Sequence, residues 1–77
     1  MSLYMTSEGE KINFITDLLA SELMAMDTIS YNFAVRYIIE QTALKEYDVR
    51  RFLNIAINRL VRCNMVKSVI NNTISRV

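Results

Sequence analysis

The apolar period of this chain changes at Asn64. From Val49 to that residue, apolar side chains recur at steps of three and four, the period of an amphipathic helix. If the helix continued, Lys67 would come round to the apolar face, and Val66 and Val69 would move to the polar face. The residues beyond are rich in β-branched types, which favour strands. We therefore predict a helix that ends near Asn64 and a β-hairpin after it.

The predicted hairpin has strands at Met65–Ile70 and Thr73–Val77, because the two asparagines between these runs tolerate the positive φ of a two-residue turn. This pairing would place Lys67 across from Arg76. Like charges in opposite positions are destabilising, so an anion such as a phosphate is expected between them. The alternative is that the helix continues through this region, which would make the protein an all-α three-helix dimer.

Two helices are predicted before this region. Ser7 and Glu10 match a capping box, so the first helix should begin at about Glu8. Its apolar face is defined by residues at steps of three and four: Ile12, Ile15, Leu18, Leu19, Leu23 and Met26. This helix is acidic, and packing is its expected role.

Three short polar residues, Asp27, Thr28 and Ser30, mark the end of the first helix, since such side chains compete for backbone hydrogen bonds. Thr28 or Ser30 would cap a second helix at Tyr31–Thr42. The apolar face of that helix is expected to hold Tyr31, Ala34, Val35, Ile38 and Thr42. A turn near Ala43–Lys45 would separate it from the third helix, and a continuous helix through this stretch is the alternative.

The composition favours one small helical domain. The chain has 77 residues, of which 7–77 are predicted to form a single domain and 1–6 a disordered N-terminus or a remnant of cloning. It contains no proline and one glycine, which speaks against glycine-rich phosphate loops. The core is expected to be thin, so a partner subunit would add stability. Without a run of about 20 apolar residues or a signal peptide, a cytoplasmic protein that does not enter the membrane is expected.

The sequence contains few of the residue types that enzymes use for catalysis. There is no histidine and only one cysteine, which excludes Cys–His and Ser–His catalysis. A zinc site would have to be built mostly from carboxylates. We therefore predict no enzymatic activity, no metal and no cofactor. By helical spacing Cys63 falls on the apolar side of the third helix, where a buried, unreactive thiol is predicted.

Charge is distributed unevenly along the chain. Residues 1–30 hold one lysine and five acidic residues, a net charge of −4, whereas residues 31–77 hold eight basic and three acidic residues, a net charge of +5. No acidic residue follows Asp48. A basic end in a nearly neutral chain favours one surface that faces a polyanion. An ordinary solvated face, or attraction between the two halves, is the alternative.

The third helix separates apolar from polar side chains. Its apolar sector comprises Val49, Phe52, Leu53, Ala56, Ile57, Leu60 and Cys63. The opposite side carries what we call the Arg/Asn stripe: Arg51, Asn54, Ile55, Asn58 and Arg62. Arginine can donate twice to guanine, asparagine can pair with adenine, and isoleucine can contact the thymine methyl group. Arg50 and Arg59 flank the stripe and would reach phosphates. On spacing alone, a solvated face in a helical bundle is an equal alternative.

Three helices followed by a hairpin resemble a winged helix–turn–helix domain. The segment Leu60–Lys67 is similar to the end of a recognition helix and the apolar pair that opens the wing, with Asn64 where that superfamily usually has glycine. Tyr47 and Arg50 also match the Tyr-x-x-Arg start of this helix in small fimbrial-operon regulators of the PapI type. The resemblance implies that the third helix enters the major groove, that the wing lies along the DNA backbone, and that the Arg/Asn stripe reads the bases. The second helix is longer than is typical of that fold.

A second resemblance is to small enteric regulators of the YmgB type. It rests on the acidic first helix, the Thr-Ile-Ser sequence at residues 28–30 and the amphipathic third helix. It implies a helical dimer in which the Arg/Asn stripe contacts a partner.

From these features together we predict a homodimeric transcriptional regulator that binds double-stranded DNA. The predicted DNA-binding residues are Arg50, Arg51, Asn54, Ile55, Asn58, Arg59, Arg62, Lys67 and Arg76. The alternative is a small all-helical homodimer that covers a regulatory protein partner, as a connector or anti-repressor, without binding DNA. Met24 and Met26 on the first helix would suit such an adaptable surface.

Overall fold

A computed structural model of the chain describes residues 7–77, which form three helices and three strands. In chain order these are α1 (Glu8–Met26), β1 (Thr28–Ser30), α2 (Tyr31–Thr42), α3 (Glu46–Arg62), β2 (Val66–Ile70) and β3 (Thr73–Arg76). The predicted fold class, a mainly helical domain with a C-terminal β-hairpin, is confirmed. The all-α alternative is wrong, because both segments after α3 are strands. The prediction for residues 1–6 lies outside the described residues.

The starts of α1 and α2 have the predicted caps. The backbone N–H of Glu10 donates to Oγ of Ser7 at 3.1 Å, and the Ser7 hydroxyl donates to the Glu10 carboxylate. At α2 the cap is Ser30, whose Oγ accepts from the backbone N–H of Phe33 at 3.0 Å. Each cap satisfies a backbone donor that has no partner within its helix.

The ends of α2 and α3 depend on left-handed backbone. Ala43 has φ 59° and follows α2, so α2 and α3 are separate helices. Asn64 has φ 61° just after α3. Its N–H donates to the carbonyl of Val61 at 3.1 Å, and the N–H of Met65 donates to the carbonyl of Leu60 at 2.9 Å. These two bonds form a Schellman motif, which confirms the predicted helix end near Asn64.

The hairpin belongs to a three-stranded antiparallel sheet of order β1-β3-β2. Residues 28–30, predicted only as a break and a cap, form β1 and pair with residues 73–75 of β3. This strand is three residues long, and its pairing partner lies far along the chain, so local sequence carries no signal for it. The consequence is that β3 lies in the middle of the sheet, with β1 attaching the hairpin to the junction of α1 and α2.

The predicted opposition of Lys67 and Arg76 is wrong. Arg76 pairs with Val66, and the register shifts between Val66 and Ser68, which leaves Lys67 in an irregularity of β2. The Arg76 guanidinium instead binds the carboxylate of Asp27, with Nε 3.0 Å from Oδ1. Asp27, at the C-terminal end of α1, therefore supplies the negative charge that we expected a bound anion to supply.

Sixteen apolar side chains from every helix and strand form the core: Ile12, Ile15, Leu19, Leu23, Ile29, Ala34, Val35, Ile38, Val49, Phe52, Leu53, Ala56, Ile57, Leu60, Val66 and Ile74. Two predictions about buried residues are wrong. Cys63 is exposed, because α3 ends at Arg62 and the cysteine no longer follows the helical period. Met26, the last residue of α1, is 51% exposed.

The hairpin turn offers a direct test of turn chemistry. Asn71 and Asn72 both have positive φ, of 52° and 59°. Glycine adopts such angles without the steric cost that a Cβ adds, so Asn72→Gly should stabilise the fold by a few tenths to about 1 kcal/mol. Urea unfolding followed by circular dichroism would measure this change. Asn72→Val, whose branched side chain opposes positive φ, should destabilise the fold, and equal stability of the two variants would contradict the turn geometry.

Candidate nucleic-acid interface

The buried and exposed sides of α3 divide as the sequence predicts. Six of the seven residues in the predicted apolar sector are buried, the exception being Cys63. All five residues of the Arg/Asn stripe are exposed, so the fold brings them together on one solvent-facing side of the helix. Helices α1 and α2 both pack against α3 and leave these five side chains exposed. The stripe therefore has the accessibility that a groove-reading surface requires.

Tyr47 extends this surface and was missed by the sequence prediction. It lies in the first turn of α3, four residues before Arg51, and its side chain is 77% exposed. A spacing of four places it on the same helix face as Arg51. The spacing of four from Arg51 is visible in the sequence, but Tyr47 was considered there only for its match to the Tyr-x-x-Arg pattern. An exposed aromatic ring at this end of the helix adds a flat apolar surface with a hydroxyl group.

Arg51, in the stripe, is already held by two carboxylates. Its NH2 nitrogen lies 3.0 Å from Oε2 of Glu8 and 3.6 Å from Oδ1 of Asp48. The guanidinium carbon also lies 4.6 Å from the centre of the Phe52 ring. The hydrogen bond and charge of Glu8 raise the pKa of Arg51, and the same pair lowers the pKa of Glu8. A nucleic acid would have to compete with Glu8 for this arginine.

Tyr31, the first residue of α2, contacts two residues of α3 at the edge of the stripe. Its hydroxyl donates to Oδ1 of Asn54 at 3.0 Å. The guanidinium carbon of Arg50 lies 5.6 Å from the centre of the Tyr31 ring, while Arg50 Nε donates to Glu46 at 2.9 Å. The bond to Glu46 raises the pKa of Arg50. Tyr31 was predicted as a core residue, and its role in positioning Asn54 follows only from the packing of α2 on α3.

The C-terminal half of the stripe is less engaged. Within residues 7–77, Arg62 forms no ion pair, and Ile55 and Asn58 are exposed beside it. On the α1 side, Arg59 donates to Oδ1 of Asn13 at 2.6 Å. This contact leaves the charge of Arg59 unpaired with any carboxylate in the same part of the chain. Positive charge is therefore most available towards the end of α3 that leads into the hairpin.

The two predicted hairpin cations have different surroundings. Lys67 is exposed at the irregularity in β2, whereas Arg76 is tied to Asp27. Residues 68–75, which include the hairpin tip, carry no charged side chain. Ile70 in this segment is 64% exposed. Of these two residues, only Lys67 is placed as predicted, with its charge accessible to an anion.

Within residues 7–77, no group of three or more His, Cys, Asp or Glu side chains is arranged to hold a metal ion. None of the helices in this range combines the length and the apolar character needed to cross a membrane. Comparison of the chain with protein-family models, with curated proteins and with solved structures finds no match.

Proposed function

We propose that this protein is a DNA-binding transcriptional regulator of the winged helix–turn–helix type, with α3 in the major groove. The observation that carries the proposal is the exposed Arg/Asn stripe on a helix that ends in a Schellman motif and leads directly into a β-hairpin. In a winged helix, this arrangement places the hairpin beside the groove-reading helix. The element order and the sheet order β1-β3-β2 support this assignment.

Each exposed residue type has a matching partner on DNA. Arg51 and Arg62 would donate to guanine, Asn54 and Asn58 would pair with adenine, and Ile55 would contact a thymine methyl group. Cations at the edges of the stripe would bind phosphates and fix the position of the helix: Arg50, Arg59 and Lys67. Arg76 has the different role of fastening the hairpin to the end of α1 through Asp27.

The proposed regulator is a cytoplasmic homodimer. A single copy presents one recognition helix, which covers only a half-site, and DNA regulators with such helices commonly bind two half-sites as symmetric dimers. A small core that gains stability from a partner subunit supports the same state.

Electrophoretic mobility shift at two salt concentrations tests the proposal. Purified protein mixed with short genomic DNA fragments should retard a subset of them at low salt, with weaker retardation at higher salt, because bound phosphates release counterions. Absence of any retardation at low salt would reject DNA binding. Retardation insensitive to salt would reject the proposed cationic contacts.

A protein-interaction module is the second candidate, and exposed methionines favour it. Met24 at the end of α1 is 63% exposed, and Met26 is half-exposed nearby. Such side chains suit an adaptable apolar contact with a second copy or a regulatory protein. This candidate predicts a dimer that is lost on Met24→Lys and no salt-sensitive affinity for DNA. Analytical ultracentrifugation beside the mobility shift would separate the two functions.

Glu8→Gln should increase the affinity for DNA. The change removes the closer of the two carboxylates that bind Arg51, at 3.0 Å, and leaves only Asp48, at 3.6 Å, to compete with DNA. Because the pair is exposed, the gain should be modest, about two- to fivefold in Kd at low salt. Asp17→Asn is the matched control, since it removes one charge from an exposed position of the same helix. Equal gains in the two variants would mean that overall charge, rather than release of Arg51, is responsible.

The same pair predicts a pH-dependent contribution to stability. Arg51 holds the pKa of Glu8 below its ordinary value of 4.5, mainly through the hydrogen bond. A carboxyl group whose pKa is lowered by folding stabilises the fold above its ordinary pKa, and this stabilisation is lost as the pH falls through the lowered value. The melting temperature of the protein should therefore be slightly higher than that of Glu8→Gln near neutral pH, because the pair is exposed. This difference should shrink towards zero as the pH falls below 4.5 and through the lowered pKa of Glu8, and a difference that persists once Glu8 is protonated would contradict the assignment.

A further inference from the structure

A cleft between α2 and the start of α3 is separate from the Arg/Asn stripe. It has a volume of about 280 Å³. Its lining comes from both helices: Asn32, Val35, Arg36, Ile39, Glu46 and Arg50. This volume is close to the lower limit of small-molecule sites, about 300 Å³.

The polar lining consists mainly of hydrogen-bond donors. Arg36 is exposed on α2 and forms no ion pair within residues 7–77. Arg50 approaches from α3 and donates from Nε to Glu46 at 2.9 Å, and its two terminal nitrogens carry further N–H donors. The stacking of Arg50 over Tyr31 limits the orientations of its guanidinium. Asn32 adds an amide group to the same cleft.

The charges and the apolar residues together indicate the ligand class. Two guanidinium groups and one carboxylate leave a net charge of +1 in the cleft. Planar guanidinium groups match the oxygen geometry of phosphate. Val35 is buried and Ile39 is partly buried, so the cleft also offers an apolar surface to a small organic group.

We propose that the cleft between α2 and α3 is a binding site for a phosphate group, held by Arg36, Arg50 and Asn32. The site shares Arg50 with the proposed DNA interface. Phosphate binding here does not require DNA binding, because a free phosphate ester could occupy the cleft as well as a nucleic-acid phosphodiester. If a ligand engages Arg50, it also affects the residue that borders the Arg/Asn stripe, which would couple the cleft to the face of α3.

Nuclear magnetic resonance titration of the full chain tests the site. Inorganic phosphate is added to the ¹⁵N-labelled protein, with sodium chloride at matched ionic strength as the blank. We expect saturable shifts confined to the amides of residues 32–39 and 46–50. Arg36→Gln should weaken binding about tenfold, because it removes one charge-assisted contact. Arg50→Lys, which keeps the charge and loses the fork, should weaken binding as well.

Lys11→Gln is the control, since it removes one positive charge from α1 outside the cleft. Shifts that do not saturate, or that survive both Arg36→Gln and Arg50→Lys, would overturn the proposal. Dimethyl phosphate and glycerol 3-phosphate then identify the source. Stronger binding of the diester supports a nucleic-acid backbone, and stronger binding of the monoester supports a small phosphorylated ligand. Phosphate binding without any DNA binding would reject the proposed function and leave this site standing.

Discussion

Replacing Arg51 and Arg62 together by alanine is expected to weaken binding to duplex DNA by at least about tenfold. The two arginines lie eleven residues apart on the exposed side of α3, so they would contact different base pairs in one groove. Each can donate twice to guanine or to a phosphate, and both contacts are lost in the variant. The plot of log affinity against log salt should also become shallower, by up to about two units if both contacts are to phosphates.

Fluorescence anisotropy with a labelled duplex selected by mobility shift would measure both effects. The matched control is Lys11→Ala with Lys45→Ala, which removes two positive charges from positions outside the stripe. Circular dichroism melting should show little change for the arginine variant, since the pairs that Arg51 loses are exposed. Tight binding that survives the loss of both arginines would rule out α3 as the reading helix. An equal loss of DNA affinity in the lysine control would mean that the stripe contributes only through its net charge.

Ile74→Ala is expected to destabilise the fold by about 2–5 kcal/mol. Ile74 is fully buried in β3, the middle strand, where it pairs with Ile29 of β1 and Val69 of β2. Truncation removes apolar contacts in the core and leaves a cavity that the sheet fills only partly. Native domains are stable by only about 5–15 kcal/mol, and a domain of this size has a small core, so much of the stability would be lost.

Urea unfolding followed by circular dichroism would measure the loss. Ile70→Ala makes the same chemical change at an exposed position of the hairpin and should cost far less. Comparable losses in the two variants would contradict the burial of Ile74. Because β3 joins β1 to β2, Ile74→Ala should also increase amide hydrogen exchange in both neighbouring strands.

Local sequence signals were sufficient for the helices and the hairpin. The capping serines and the left-handed asparagines act within a few residues of their own position, so the starts of α1 and α2 and the helix end near Asn64 could be predicted. Cys63 was wrongly predicted because the helical period was extended past the last helical residue. The helical period predicts which side chains are buried only for residues within the helix.

Contacts between distant residues could not be predicted in this way. The binding of Arg76 to Asp27, of Arg51 to Glu8 and of Tyr31 to Asn54 each joins elements whose relative positions depend on the whole core. Because of these contacts, some predicted DNA-binding residues already have partners. These contacts lower the contribution to DNA binding that we expect from Arg51, and they give Arg76 a structural role.

Which face of α3 is polar follows from the sequence alone, because the spacing of charged and amide side chains along a helix fixes their direction relative to the apolar face. The predicted end of α3 follows from the sequence as well, because Asn64 and the β-branched residues after it act locally. The pairing of β1 with the hairpin and the binding of Arg51 by Glu8 could be seen only in the folded protein. Strand pairing and ion pairing act between residues brought together by the packing of the core, and sequence spacing carries no record of that proximity.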